Sequence, residues 1–187
     1  MSNNFVPRLI LIVIIFLSLI KNISAEVNWS IPQEGNKIIL IRHASAPGGG
    51  DPEGFDIKKC NTQRNLDNVG IEQSKNIGRI FKKKSIPIDK VLTSQWCRCK
   101  DTAKYAFNNY KEFSALNSTF QSPFDKNEKE QLIKIKEYVK NWQGNGRNLV
   151  MVTHYSIIIK LTNTFPSSGE IIIANKNFKV LEQISTF

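Results

Sequence analysis

The chain has 187 residues but only two histidines, His43 and His154, and three cysteines, Cys60, Cys97 and Cys99. No Cys/His cluster forms, and Cys97-Arg98-Cys99 is not a metal-binding spacing, so the expectation is a protein without a bound metal and without a cofactor. Acidic residues are scarce, 16 against 26 Lys plus Arg, giving a formal charge of +10. That balance favours anionic ligands or surfaces. Aromatics are not interleaved with the basic residues and no nucleic-acid module is present, so nucleic acid is not an expected partner. No apolar run reaches the roughly 20 residues that span a bilayer. No repeat or linker divides the chain. The hydrophobic fraction of 41% and charged fraction of 22% are ordinary for a soluble domain with a sizeable core.

The longest apolar run, from Leu9 to Ile20, follows Arg8 and precedes Ile23-Ser24-Ala25, a small-residue cleavage pattern. Residues 1–25 therefore read as a signal peptide and residues 26–187 as a single mature domain, exported to the periplasm or secreted. An uncleaved membrane anchor is the alternative, and it is the only membrane contact expected. The signal segment carries Arg8 and Lys21 and no acid, so removing it lowers the charge by two, to +8. The accompanying richness in Lys, Asn and Ile suggests an AT-biased genome, and part of the surplus is then solvated surface. Export places the cysteines in an oxidising compartment, where a pair is bridged. A bridge from Cys60 to Cys97 or to Cys99 would staple a loop beside Arg98; three buried reduced cysteines are the alternative.

Along the chain, residues 37–41 form an apolar strand. Residues 44–60 hold Pro47-Gly48-Gly49-Gly50-Asp51-Pro52 and form an irregular loop. A helix opens at Asn65-Leu66-Asp67 with Asp67 as N-cap, carries Ile71, Ile77, Ile80 and Phe81 as its apolar stripe, and ends in Lys82-Lys83-Lys84 before Pro87. Residues 89–93 are a strand, 101–110 a helix, 113–116 a third strand, and 128–142 a helix with Leu132, Ile135, Val139 and Trp142 on one stripe. After Gly144-Asn145-Gly146, residues 149–153 form a strand of the buried parallel type. Residues 156–164 are helical, and 170–174 with 179–184 form a closing antiparallel pair. This alternation predicts an α/β fold, a three-layer α/β/α sandwich around a mostly parallel central sheet.

Such a sheet gathers its strand ends at one edge, where ligands bind. Three segments put cationic or imidazole groups there: Leu40-Ile41-Arg42-His43, Ser94-Gln95-Trp96-Cys97-Arg98 and Val152-Thr153-His154. Two arginines and two histidines make a pocket for a phosphate group. A neutral, oriented imidazole attacks phosphorus without a base to activate it. Guanidinium forks hold the equatorial oxygens as charge redistributes. His43 fits the nucleophile, Arg42 and Arg98 the phosphate clamp, and His154 a donor to a phosphate oxygen. Arg64 is a further cation near the pocket mouth, or a salt-bridge partner of the helix that follows it.

At these positions the chain resembles the histidine phosphatase (phosphoglycerate mutase-like) superfamily, in particular its small exported bacterial members. Arg42-His43-Ala44 resembles the family's Arg-His-Gly signature. The segment from Gln63 to Gln73 resembles its helix opening, Ser94 to Ala103 its serine–arginine–threonine–alanine segment, and Val152-Thr153-His154 its second histidine. The resemblance runs over residues 37–173. It implies a phosphohistidine formed on His43, a pocket of Arg42, Arg98 and His154, a phosphoglycerate mutase-like fold, a small phosphorylated substrate, and no metal.

The sequence departs from the family pattern at two points. Ala44 replaces the glycine, and no glutamate follows the third strand, where Leu116-Asn117-Ser118-Thr119-Phe120-Gln121 stands. The candidate proton donors are Asp51 and Glu53 in the Gly/Pro loop, then Asp125 and Glu128. Without a positioned acid, esters with good leaving groups are favoured, and the absent glutamate argues against a mutase. The expected activity is a phosphomonoesterase. The alternative is a non-catalytic phosphate-binding module of the cell envelope, and a third reading is an envelope protein that uses only its basic surface. Residues 44–60 and 118–127 are expected to form the pocket rim. The oligomeric state is left open by the sequence.

Overall fold

The central strands form where β-branched and apolar residues run without interruption, because a strand covered on both faces gains from burying every side chain. The structure, a computed structural model, describes residues 27–186. The signal segment expected at 1–25 lies outside the described residues. Strand β1 (Ile38–Arg42) is buried but for its last residue, and β4 (Asn148–Thr153) is buried throughout. With β2 (Ile88–Thr93), β3 (Lys111–Glu112), β5 (Ile171–Ala174) and β6 (Val180–Ile184) they form one sheet in the order β3-β2-β4-β1-β5-β6. The first four run parallel, and β5 and β6 close the sheet antiparallel.

Period-two alternation divides the core between the two sheet faces. On one face Ile38, Leu40, Leu149 and Met151 meet Ile135 and Val139 of one helix (Glu128–Asn141) and Ile157 and Ile158 of another (Tyr155–Thr162). On the other, Ile39, Ile41, Val150 and Val152 meet Ile77 and Phe81 of a third (Asn68–Lys83) and Cys99 and Ala103 of a fourth (Cys97–Phe107). With the short helix α1 (Ser30–Gln33) these are, in chain order, α2 (Asn68–Lys83), α3 (Cys97–Phe107), α4 (Glu128–Asn141) and α5 (Tyr155–Thr162). The three-layer architecture read from the sequence is the one observed. Among the described residues, no helix is long and apolar enough to cross a membrane.

Three local expectations are corrected. Helix α3 begins at Cys97, four residues before the expected start, and so takes Arg98 into its first turn; its N-cap, Trp96, supplies no side-chain cap that a sequence reading could find. The third strand is Lys111–Glu112, while residues Ser114–Leu116 turn as a 3₁₀ helix instead of continuing the sheet. Helix α1 is an addition to the expected elements.

Helix α2 does start at the cap that the sequence indicates. Asp67 Oδ1 accepts the Gly70 N–H at 2.7 Å. Gly70 itself is required by a close approach, since a Cβ there would lie 2.1 Å from the Ser45 carbonyl oxygen. Gly70→Ala is therefore expected to cost about 1–3 kcal/mol through overpacking against backbone, read from the urea midpoint. An unchanged midpoint would show that the loop after β1 moves aside freely.

Candidate functional site

Register brings the site together. Arg42 of β1 lies opposite Thr153 of β4, and Thr93 of β2 opposite Val152, so the residues just past all three strands share one edge. The His43 N–H donates to Thr153 O at 2.9 Å and the Ser94 N–H to Val152 O at 3.0 Å. A cavity of about 220 Å³ opens there, lined by Arg42, His43, Gly48–Asp51, Arg64, Arg98, Ser118, Phe120, Gln121, His154, Tyr155 and Ser156. Five of the expected binding residues, together with Asp51, meet in this one cavity.

His43 is 3% exposed and His154 is 2% exposed, with ring centroids 5.4 Å apart. His43 Nδ1 lies 2.9 Å from Ala44 O, an acceptor only, so the proton sits on Nδ1 and the Nε2 lone pair is left free of protein partners among the described residues. Burial pushes the His43 pKa well below its ordinary value, and the charges of Arg98, Arg42 and Arg64 add to this against the Ala44 hydrogen bond. His43 is thus a neutral imidazole at neutral pH. Ala44 tolerates its methyl because its backbone lies outside the left-handed region, and its N–H donates to Thr102 Oγ1 at 3.0 Å, fixing the turn to α3.

His154 Nε2 lies 2.9 Å from Ser94 Oγ and 3.4 Å from Cys99 Sγ, while its buried Nδ1 has no partner. Burial, then Arg98 and His43, hold its pKa well below the usual histidine value too. Burial pushes the Cys99 thiol up to about 12, so this cysteine is a neutral packing residue of the His154 wall.

The arginines are held by one end each. Arg42 Nη1 donates to Pro166 O at 2.8 Å and the guanidinium lies 5.1 Å from the centre of the Tyr155 ring, while Nε is buried without a partner. Arg98 donates through Nη1 and Nη2 to the two Asp51 oxygens at 2.6 and 3.2 Å, and its Nε is likewise unpartnered. Arg64 makes no salt bridge to α2; its Nε donates to Gly50 O at 2.8 Å and its Nη1 to Ala46 O, so it fastens the Gly/Pro loop over the cavity. Three guanidinium groups and one carboxylate leave a surplus of two positive charges, matching a phosphate monoester dianion.

Asp51 is the carboxylate of the site. The Arg98–Asp51 pair is 3% exposed on both side chains. Burial raises the Asp51 pKa, but hydrogen bonds from Arg98, its charge and the Trp96 indole N–H at 2.8 Å outweigh this, and the net pKa lies below the ordinary carboxylate value. It therefore carries no proton at neutral pH and acts as the counter-ion of Arg98. Glu53, the other donor expected from the Gly/Pro loop, is exposed and does not line the cavity, because the chain turns outward at Pro52. Asp125 is exposed, and Glu128 pairs with Lys160 at 3.1 Å; neither reaches the site. Asn117, in the segment where the family carries a glutamate, spends its amide on Ser94 Oγ, Gln95 N–H and Gln95 Oε1.

Cys60 is bridged to Cys97, so the loop before α2 is tied to the first turn of α3 next to Arg98. Of the two pairings open in the sequence, this is the one found, and Cys99 stays buried and reduced. With the partners 37 positions apart, Cys60→Ser is expected to cost about 3–4 kcal/mol in chemical denaturation. Because Cys60 is exposed, a loss below about 1 kcal/mol would mean that Arg64 and Gln63 alone hold the loop. Tyr155 and Ser156 carry no signal of their own in the sequence; both stand within two positions of a histidine that does, while Ser94 opens the segment read up to Ala103. Among the described residues no group of three or more His, Cys, Asp or Glu side chains is gathered.

Compared with known proteins, no protein-family model matches the chain and no curated protein sequence matches it. Solved structures do. The protein histidine phosphatase SixA, determined as a tungstate complex, superposes with a TM-score of 0.54 at 12% identity over 80% of this chain and 97% of that one. A candidate alpha-ribazole-5'-P phosphatase from Escherichia coli gives 0.57 at 15% identity, covering 80% and 96%. A phosphoglycerate mutase from Thermus thermophilus gives 0.53 at 11% identity, covering 80% and 98%. At these identities the likeness is one of fold: the chain has the phosphoglycerate mutase-like α/β fold that histidine phosphatases share.

Proposed function

We propose that this chain, built on the phosphoglycerate mutase-like fold, is a phosphomonoesterase that works through a phosphohistidine on His43. The observation that carries the reading is the set of buried, unpartnered atoms Arg42 Nε, Arg98 Nε and His154 Nδ1, all on residues that line one cavity with the free Nε2 of a neutral His43. Native proteins rarely leave buried polar atoms unpaired, and a phosphate group, with several oxygens, pairs them together. His43 Nε2 attacks phosphorus in line, the N–P bond forms as the ester P–O bond breaks, and the leaving oxygen takes the electron pair. The arginines hold the equatorial oxygens as their charge is redistributed. Ser94 gives its one hydroxyl proton to Asn117 Oδ1, so neutral His154 carries its proton on Nε2, toward Ser94 Oγ, and donates from Nδ1 to a phosphate oxygen only once the bound dianion has drawn a second proton onto the ring. Water then attacks the phosphohistidine, releasing inorganic phosphate and restoring neutral His43. The test is release of inorganic phosphate from phosphate monoesters by the wild-type chain and its loss in His43→Gln.

A second reading, binding of phosphate esters without turnover, is favoured by one observation: the carboxylate of the site is already committed to Arg98. It predicts tight phosphate binding with no phosphoenzyme. Export remains part of the proposal; its support is the Cys60–Cys97 bridge, since disulfides persist in oxidising compartments. N-terminal sequencing of the protein from its own cells, with Glu26 expected first, tests it.

A further inference from the structure

The two most exposed large hydrophobic side chains among the described residues are Phe120, at 67%, and Phe165, at 65%. Single exposed apolar residues need no explanation. These two come from different segments, and each is tied to the cavity, Phe120 directly and Phe165 through Tyr155. Phe120 lines the cavity mouth from the segment between β3 and α4. Phe165 lies between α5 and β5, with its ring 6.4 Å from that of Tyr155, which lines the cavity and faces Arg42. Its neighbour Pro166 supplies the carbonyl that holds Arg42. Phe120 and Tyr155 thus line the cavity together with the arginines, and Phe165 extends the aromatic surface beside Tyr155, a surface suited to a flat apolar group joined to a phosphate.

A separate observation concerns the leaving group. Asp51, the only carboxylate lining the cavity among the described residues, has both oxygens engaged by Arg98 and one also by the Trp96 indole. Among the described residues no protonated carboxyl group lines the cavity to protonate a departing oxygen. An aliphatic alkoxide, nearly as strong a base as hydroxide, leaves poorly without one, whereas a phenolate, with a conjugate-acid pKa of about 10 as in tyrosine, leaves as the anion.

We infer that the substrates are aryl phosphomonoesters, whose ring is held by Phe120, Phe165 and Tyr155 and whose phenolate departs without enzymatic protonation. This rests on the reading of the site as a phosphomonoesterase. In the step itself the N–P bond forms at His43 Nε2, the P–O(aryl) bond breaks, and the electron pair leaves on the phenolate oxygen, which takes its proton from solvent.

The experiment compares kcat/KM for phenyl phosphate, a neutral phosphotyrosine peptide and glycerol 1-phosphate, in the wild type and in the double variant Phe120→Ala/Phe165→Ala. Both side chains are exposed, so the variant is expected to fold, and its melting curve checks this. The wild type is expected to prefer phenyl phosphate over glycerol 1-phosphate by at least about 100-fold. The double variant is expected to lose about tenfold of that preference through a raised KM for the aryl ester. Hydrolysis of the peptide as fast as phenyl phosphate would assign the ring to tyrosine side chains, and slower hydrolysis to small aryl esters; both uphold the aryl class. Turnover of the glycerol ester as fast as the aryl esters, or a preference untouched by the double variant, would overturn the inference while leaving phosphomonoesterase activity in place. No phosphoenzyme and no turnover with any of the three would overturn both.

Discussion

Replacing His43 with alanine is expected to abolish phosphate-ester turnover, with a loss on the order of 10⁶-fold, the size found when the nucleophile of a covalent mechanism is removed. The expectation follows from the arrangement at the strand edge. His43 is the one imidazole whose Nδ1 is fixed by a carbonyl that can only accept, so its Nε2 is always the lone pair. His154 cannot take over through Nε2, which is engaged by Ser94 and Cys99, and its Nδ1 is fully buried. The three arginines remain in the variant, so it should still bind phosphate. Steady-state hydrolysis combined with phosphate titration separates the two effects. Residual activity within about tenfold of the wild type would mean that the imidazole binds phosphate but does not form a bond to it.

Asp51→Ala has the second large effect, and it falls on stability. Removing one member of a buried ion pair strands the other charge, which typically costs about 3–5 kcal/mol. Here Arg98 would lose both forked hydrogen bonds while staying 2% exposed, and the Trp96 indole would lose its acceptor. Phosphate can replace the missing carboxylate at Arg98. Millimolar phosphate should therefore raise the melting temperature of Asp51→Ala more than that of the wild type. An equal shift in the two proteins would show that phosphate reaches Arg98 only through Nε and does not take up the two Nη groups that Asp51 leaves.

Acid acts on the same residues in one direction. The Asp51 pKa is lowered by folding, so its contribution is present above the unfolded value and lost as pH falls through the folded one. The pKa values of His43 and His154 are also lowered, so the unfolded chain binds their protons first as pH drops below about 6.5. Each histidine then removes stability at about 1.4 kcal/mol per pH unit. Stability should be level above about pH 7 and fall steeply below about 6, with His43→Ala showing the shallower slope.

What is legible in the sequence follows from how local its signals are. The cavity residues Arg42, His43, Arg98 and His154 each follow an apolar run, and the parallel topology that gathers such positions is itself coded by those runs. Asp67 is readable as a cap because its partner Gly70 lies three residues away. The start of α3 is hidden because Trp96 offers no capping side chain, and the end of the third strand because only two residues of that region find partners on β2. The state of Asp51 is out of reach for another reason. Its nearness to His43 in the chain makes it a candidate acid, but its charge state is set by Arg98 and Trp96, 47 and 45 positions away. The aromatic lining is hidden likewise, since Phe120 and Tyr155 meet only at the finished cavity, with Phe165 beside Tyr155.

The most direct test of phosphohistidine catalysis is a rapid-quench reaction of the wild-type chain with 4-nitrophenyl phosphate, followed by mass spectrometry of the digested protein. The account predicts a burst of one nitrophenolate per chain and a phosphoryl group on the His43 peptide that is stable to base and lost in acid. Steady turnover with no phosphorylated peptide, or with the phosphoryl group on any other residue, would contradict it.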